Sequence, residues 1–161
     1  YPVETVKAMA SVCIGAEEHR SVNISNHRNE LTFTEISETI AMSAMYAANH
    51  LEGVKAIISL TESGHTSKIM SRITSGLPIY SLSRHHKTLN KTAIYRGVYP
   101  VEFDSTNFSD EELTNEVLNQ VLSKSDLQVD DKVIFTHGDM METVGATNTL
   151  KVLTVTKKHL S

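Results

Sequence analysis

The sequence predicts an α/β domain, a three-layer sandwich around a five-stranded, mainly parallel sheet whose last strand is an antiparallel edge. Three observations carry that reading. From Gly53 onward, short β-prone runs alternate with amphipathic segments of helical period. Helices separate the first four runs, so those strands need crossovers and lie parallel. Only the twelve residues 137–148 separate the last two runs, and they hold no helical pattern, which suits an antiparallel pair.

The elements follow in order. Residues 1–19 read as an amphipathic helix, with Pro2 in the first turn, where a missing N–H costs nothing. Val3, Val6, Met9 or Ala10, and Cys13 share a face that needs something to pack against. Residues 20–30 are polar and read as a linker. A second helix is expected over 33–50, with Thr32 and Glu35 at capping-box spacing. Its apolar stripe is Ile36, Ile40, Ala44, Ala47 and Leu51, widened by Met42, Met45 and Tyr46, and its small residues allow close approach of a neighbour. Strands are then expected at 54–60, 79–82, 98–103, 132–136 and 150–155, with helices at 66–74, 87–95 and 110–122. Acidic residues open the last helix, as its dipole favours.

Bulk properties narrow the function classes. The 161 residues suit one domain with a core, and the formal charge of -4 comes without a Lys/Arg cluster, which argues against a nucleic-acid partner. No apolar run is long enough to span a bilayer, so no membrane partner is expected. A single cysteine, Cys13, excludes an internal disulfide and fits a cytoplasmic setting. The opening at Tyr1 suggests a domain taken from a longer chain. The eight histidines show no metal-ligand spacing and read as solvated surface residues, so neither a metal site nor a catalytic residue is assigned.

The segment from Ser59 to Ser67 is the best candidate for binding chemistry. It turns from a strand into a helix, with the hydroxyls of Thr61, Ser63, Thr66 and Ser67 around Gly64. Thr61, Ser63, Gly64, His65, Thr66 and Ser67 together form an anion site of oriented donors, beyond the carboxyl ends of the strands. The same pattern also suits a plain capped turn. Against a phosphate stand the absence of a Walker lysine or G-x-G-x-x-G and the presence of Glu62. A second loop, 137–148, follows the fourth strand and is placed to close over the same site.

Several segments, in order, carry a resemblance: Tyr1-Pro-Val-Glu-Thr-Val, Ser37-Glu-Thr-Ile-Ala, Ile57-Ile-Ser-Leu-Thr-Glu-Ser-Gly, Ser71-Arg-Ile, Leu77-Pro-Ile-Tyr, Thr92-Ala-Ile-Tyr-Arg-Gly-Val-Tyr-Pro and Gly145-Ala-Thr-Asn-Thr. Together they resemble the C-terminal domain of bacterial pyruvate kinases, and most closely the type switched by AMP or sugar monophosphates. The resemblance implies that residues 1–20 are the last helix of a catalytic barrel domain, 21–31 a linker and 32–161 the regulatory domain. It implies that a phosphorylated effector binds at Thr61–Ser67, with Gly145, Ala146 and Thr147 closing over it. It also implies a subunit interface at Thr149, Leu150, Lys151, Val152 and Leu153, giving a dimer of this chain and a tetramer of the parent. Mg²⁺ and K⁺ are implied for the full-length enzyme and no cofactor for this chain. Bisphosphate-binding members draw a basic side chain from the stretch matching 104–122, which here has no Lys or Arg, so the resemblance favours a singly phosphorylated effector. Two other functions remain open: a structural oligomerisation domain without a ligand, and a free-standing sugar-phosphate or nucleotide enzyme with His65 or His137 as its base.

Overall fold

The computed structural model describes residues 1–18, 32–139 and 145–159. The expected linker at 21–31 and residues 140–144 of the second loop lie outside the described residues.

Among the described residues, five strands form one sheet: β1 (Val54–Leu60), β2 (Ile79–Ser83), β3 (Val98–Glu102), β4 (Lys132–His137) and β5 (Thr149–Thr154). Their order is β3-β2-β1-β4-β5, parallel except for the antiparallel β4–β5 pair at the edge. Among the described residues, five α-helices accompany them: α1 (Pro2–Glu17), α2 (Ile36–His50), α3 (His65–Ser71), α4 (His86–Thr92) and α5 (Asp110–Leu122). The expected fold class therefore stands, with element ends moved by a few residues.

Strand alternation sorts side chains onto two faces. Ile58, Leu82, Val133 and Phe135 pack with Leu113, Val117, Leu118 and Val121 of α5. Ile57, Ile79 and Ile134 face the other way, onto Ala41, Ala44 and Met45 of α2 and Met70 of α3. Val54 joins this second core, whereas Ala56 joins the first. A register shift between them against β4 changes the parity of the strand at that point.

The stripe expected on α2 is rotated. Its buried residues are Ser37, Ala41, Ala44, Met45 and Ala48, while Ile36 and Tyr46 stay exposed. The small side chains let the helix axis sit close to its neighbours, with Met45 the one bulky residue on the buried face. The expected capping box at Thr32 is absent as well. Glu35 is the N-cap and makes no side-chain bond. A capping box forms instead at α5, where Ser109 and Glu112 satisfy each other's backbone N–H groups. On α1, Val3, Val6, Met9, Val12 and Ile14 are all exposed, as is Cys13, so nothing among the described residues covers that face.

Candidate functional site

The strand order reverses direction between β1 and β4. The chain winds outward from β1 through β2 to β3, then returns to the other side of β1. In open α/β sheets, ligands bind in the crevice at the carboxyl ends of the two strands flanking such a reversal. The two loops singled out in the sequence leave from those ends, one after Leu60 and the other after His137.

Gly64 makes the first turn possible. Its φ is +76°, and a Cβ there would come within 2.7 Å of Thr92 Cγ2. Its N–H donates to Thr61 Oγ1 at 3.0 Å. Thr66 and Ser67 are buried. Ser67 Oγ shares a hydrogen bond with Ser81 Oγ at 2.8 Å, and Thr66 Oγ1 shares one with Thr147 Oγ1 at 2.8 Å. In each pair one hydroxyl donates, and the accepting hydroxyl keeps its own proton for another acceptor. Ser63 is half-buried and His65 exposed. Thr61, Thr66 and Ser67 on the first loop thus have internal partners, and the Thr66–Thr147 bond ties the two loops together.

The second loop is pinched at its base. The backbone of Gly138 runs so close to Ala146 that a Cβ would lie 2.6 Å from the Ala146 carbonyl oxygen. Asp139 accepts bonds from Asn148 Nδ2 at 3.1 Å and Thr149 Oγ1 at 2.9 Å, and its own N–H donates to Asn148 Oδ1 at 3.1 Å. These contacts hold Ala146 and Thr147 beside the end of β4. Gly145 has a φ of +80° and is exposed. His137 departs from the surface placement expected for histidines. As the last residue of β4 it is buried and stacks on Phe135, with ring centroids 4.8 Å apart.

Sequence reading missed the basic side chains around the first loop. Glu62 Oε2 lies 2.5 Å from His85 Nε2 and 3.7 Å from Arg84 Nε. Thr88 Oγ1 donates to the Glu62 carbonyl at 2.6 Å, and Lys91 Nζ donates to the Ser63 carbonyl at 3.2 Å. Arg84 and His85 thus face the Glu62 carboxylate, with Asp104 also within electrostatic reach of both, while Thr88 and Lys91 fix two of the loop's carbonyls. The signal was the sheet register. Leu60 pairs with Leu82 in parallel, which sets Glu62 beside Arg84 two residues further along each chain.

A cleft of about 610 Å³ opens at the opposite end of the sheet, lined in part by Tyr80, Tyr99, Arg96 and Lys124. Burial, with the neighbouring Tyr99, pushes the Tyr80 hydroxyl above the usual tyrosine range. The cleft lies at the amino ends of β2 and β3, away from both loops. Among the described residues, no three His, Cys, Asp or Glu side chains gather to hold a metal ion, and no helix is long and apolar enough to cross a membrane.

Comparison with known proteins agrees with this architecture. Residues 38–153 match the family model described as "Pyruvate kinase, alpha/beta domain". The chain is 56% identical over 155 residues to "Pyruvate kinase II" of Salmonella typhimurium, covering 96% of this chain and 32% of that protein. It is 54% identical over 156 residues to a pyruvate kinase of Buchnera aphidicola subsp. Schizaphis graminum, with 97% and 32% covered. A pyruvate kinase of Haemophilus influenzae is 59% identical over 101 residues, 63% of this chain and 21% of that protein. The chain spans about a third of the length of the first two. It belongs to the pyruvate kinase alpha/beta domain family.

Proposed function

We propose that this chain is the effector-binding and oligomerisation domain of a cytoplasmic pyruvate kinase, and that a singly phosphorylated metabolite, a sugar monophosphate or AMP, binds between its two joined loops. The observation that carries this reading is the Thr66–Thr147 bond at the strand-order reversal, where two loops distant in sequence meet. The accepting hydroxyl of that pair, the Ser63 hydroxyl and nearby Arg84 and Lys91 are the groups a phosphate would use.

The parent enzyme would transfer phosphate from phosphoenolpyruvate to ADP with Mg²⁺ and K⁺, in a barrel domain beyond this chain. The described residues offer no metal-ligand cluster for that chemistry, so this chain alone should form no pyruvate. The exposed apolar face of α1 would be covered by that barrel.

Calorimetric titration of the chain with ribose 5-phosphate, glucose 6-phosphate, AMP and fructose 1,6-bisphosphate tests the reading. Saturable binding of one monophosphate per chain is expected. No binding by any of them would leave a structural oligomerisation domain, and turnover of one would indicate a free-standing enzyme.

A further inference from the structure

We propose that Glu62 is a built-in counter-anion, which engages Arg84 and His85 beside the first loop and which a bound phosphate must displace. This rests on the effector reading above and adds to it the device that sets the site's affinity.

The geometry is specific. The Glu62 carboxylate is mostly covered, with 18% of its side chain exposed, and turns toward Arg84 and His85. One oxygen, Oε2, serves both partners. The backbone of the same residue is fixed separately by Thr88, and that of Ser63 by Lys91. The loop therefore does not depend on the carboxylate for its shape. His85 is 47% exposed, and an ion pair open to solvent on one side adds little to stability. Its effect is to neutralise the positive mouth of the loop until a ligand enters.

A phosphate monoester carries close to two negative charges at neutral pH, against one on Glu62. It can take Arg84 and His85 from the carboxylate, which then swings out to solvent. The same exchange disfavours weaker anions that carry a single charge. Binding is weaker than the cations alone would give, because part of each interaction replaces one already made.

The experiment titrates the 161-residue chain and its Glu62→Gln and Arg84→Gln variants with ribose 5-phosphate and with inorganic phosphate. Glu62→Gln should bind ribose 5-phosphate about tenfold more tightly than the unaltered chain, and Arg84→Gln about tenfold more weakly, the scale of one charge-assisted contact. Equal or weaker binding by Glu62→Gln, with binding by the unaltered chain intact, overturns the counter-anion and leaves the effector site standing. No binding by either chain removes the effector site and this proposal together. A readout on the unaltered chain covers failure of a variant to fold. The His85 ring proton signals should move when ribose 5-phosphate saturates the chain, and unmoved signals at saturation contradict displacement of Glu62.

Discussion

The hydroxyls of Thr66 and Thr147, 81 residues apart in the chain, lie 2.8 Å from each other and are buried. This bond links the loop after β1 to the loop after β4. Replacing one partner leaves the other hydroxyl buried without it. Thr66→Val or Thr147→Val alone should therefore cost about 1–3 kcal/mol. The double replacement should cost less than the sum, with a coupling of about 0.5–1.5 kcal/mol in a double-mutant cycle followed by urea unfolding. Additive costs would mean that the two loops are held together by other contacts.

Two glycines set the approach of these loops. Gly64→Ala places a side chain at φ +76° and drives it against the buried Thr92. It should destabilise the domain by about 1–3 kcal/mol. Gly138→Ala meets backbone rather than a side chain, at the Ala146 carbonyl. It should push the arms of the second loop apart and abolish the Thr66–Thr147 coupling expected from that cycle. A Gly138→Ala chain with unchanged coupling would show that the pinch does not position Thr147.

The start of α5 has its own pH dependence. Hydrogen bonds from the Ser109 hydroxyl and then the Ser109 backbone hold the Glu112 carboxyl below the usual carboxylate range. A depressed folded-state value contributes stability above the unfolded-state value, and that contribution is lost as pH falls through the folded-state value. Wild type should therefore exceed Glu112→Gln in thermal midpoint at neutral pH, with the gap closing below the carboxylate range. A gap independent of pH would contradict the charged cap.

Much of this was legible in the sequence, for physical reasons that differ by element. The strand Val54–Leu60 and the helix Asp110–Leu122 were expected with the ends they have, because each shows its own period and boundary signals. The buried face of α2 was legible in part: Ala44 and Met45 belong to the expected apolar surface and are buried, whereas Ile36 is exposed. Hydrophobicity ranks Ile36 and Tyr46 above Ala41 and Ala48, yet close packing against the sheet favours the small side chains. At the loop after β1, local pattern identified the glycine and hydroxyls. The capped-turn alternative allowed internal partners for these hydroxyls, but not the specific pairing of Thr66 with Thr147 and Ser67 with Ser81, which only the fold brings together. Arg84, His85 and Lys91 lie about twenty or more residues from Glu62 and Ser63, and only the parallel register of β1 and β2 brings them to the loop.

β5 should mediate self-association. Among the described residues it pairs with β4 on one side only, and Val152 is 46% exposed. Lys151, the one charge on the strand, reaches instead to Thr114 Oγ1 of α5 at 3.3 Å and does not guard the edge. Such an edge can accept a second copy about a two-fold axis, through Thr149 to Leu153. Sedimentation should find a dimer at roughly tens of micromolar, a range in which weak specific interfaces assemble. Val152→Glu should shift it toward monomer. A monomeric wild type would reject this interface.

A phosphorylated ligand is proposed to bind where the loops after β1 and β4 meet. Amide chemical-shift mapping of the isotope-labelled chain during titration with ribose 5-phosphate or AMP tests it most directly. Saturable shifts are expected at Glu62–Thr66 and Gly145–Thr147, and none in Ser63→Ala/Thr66→Ala. Shifts confined to the cleft between Tyr80 and Tyr99, or none at millimolar ligand, about the weakest affinity of interest, would contradict it.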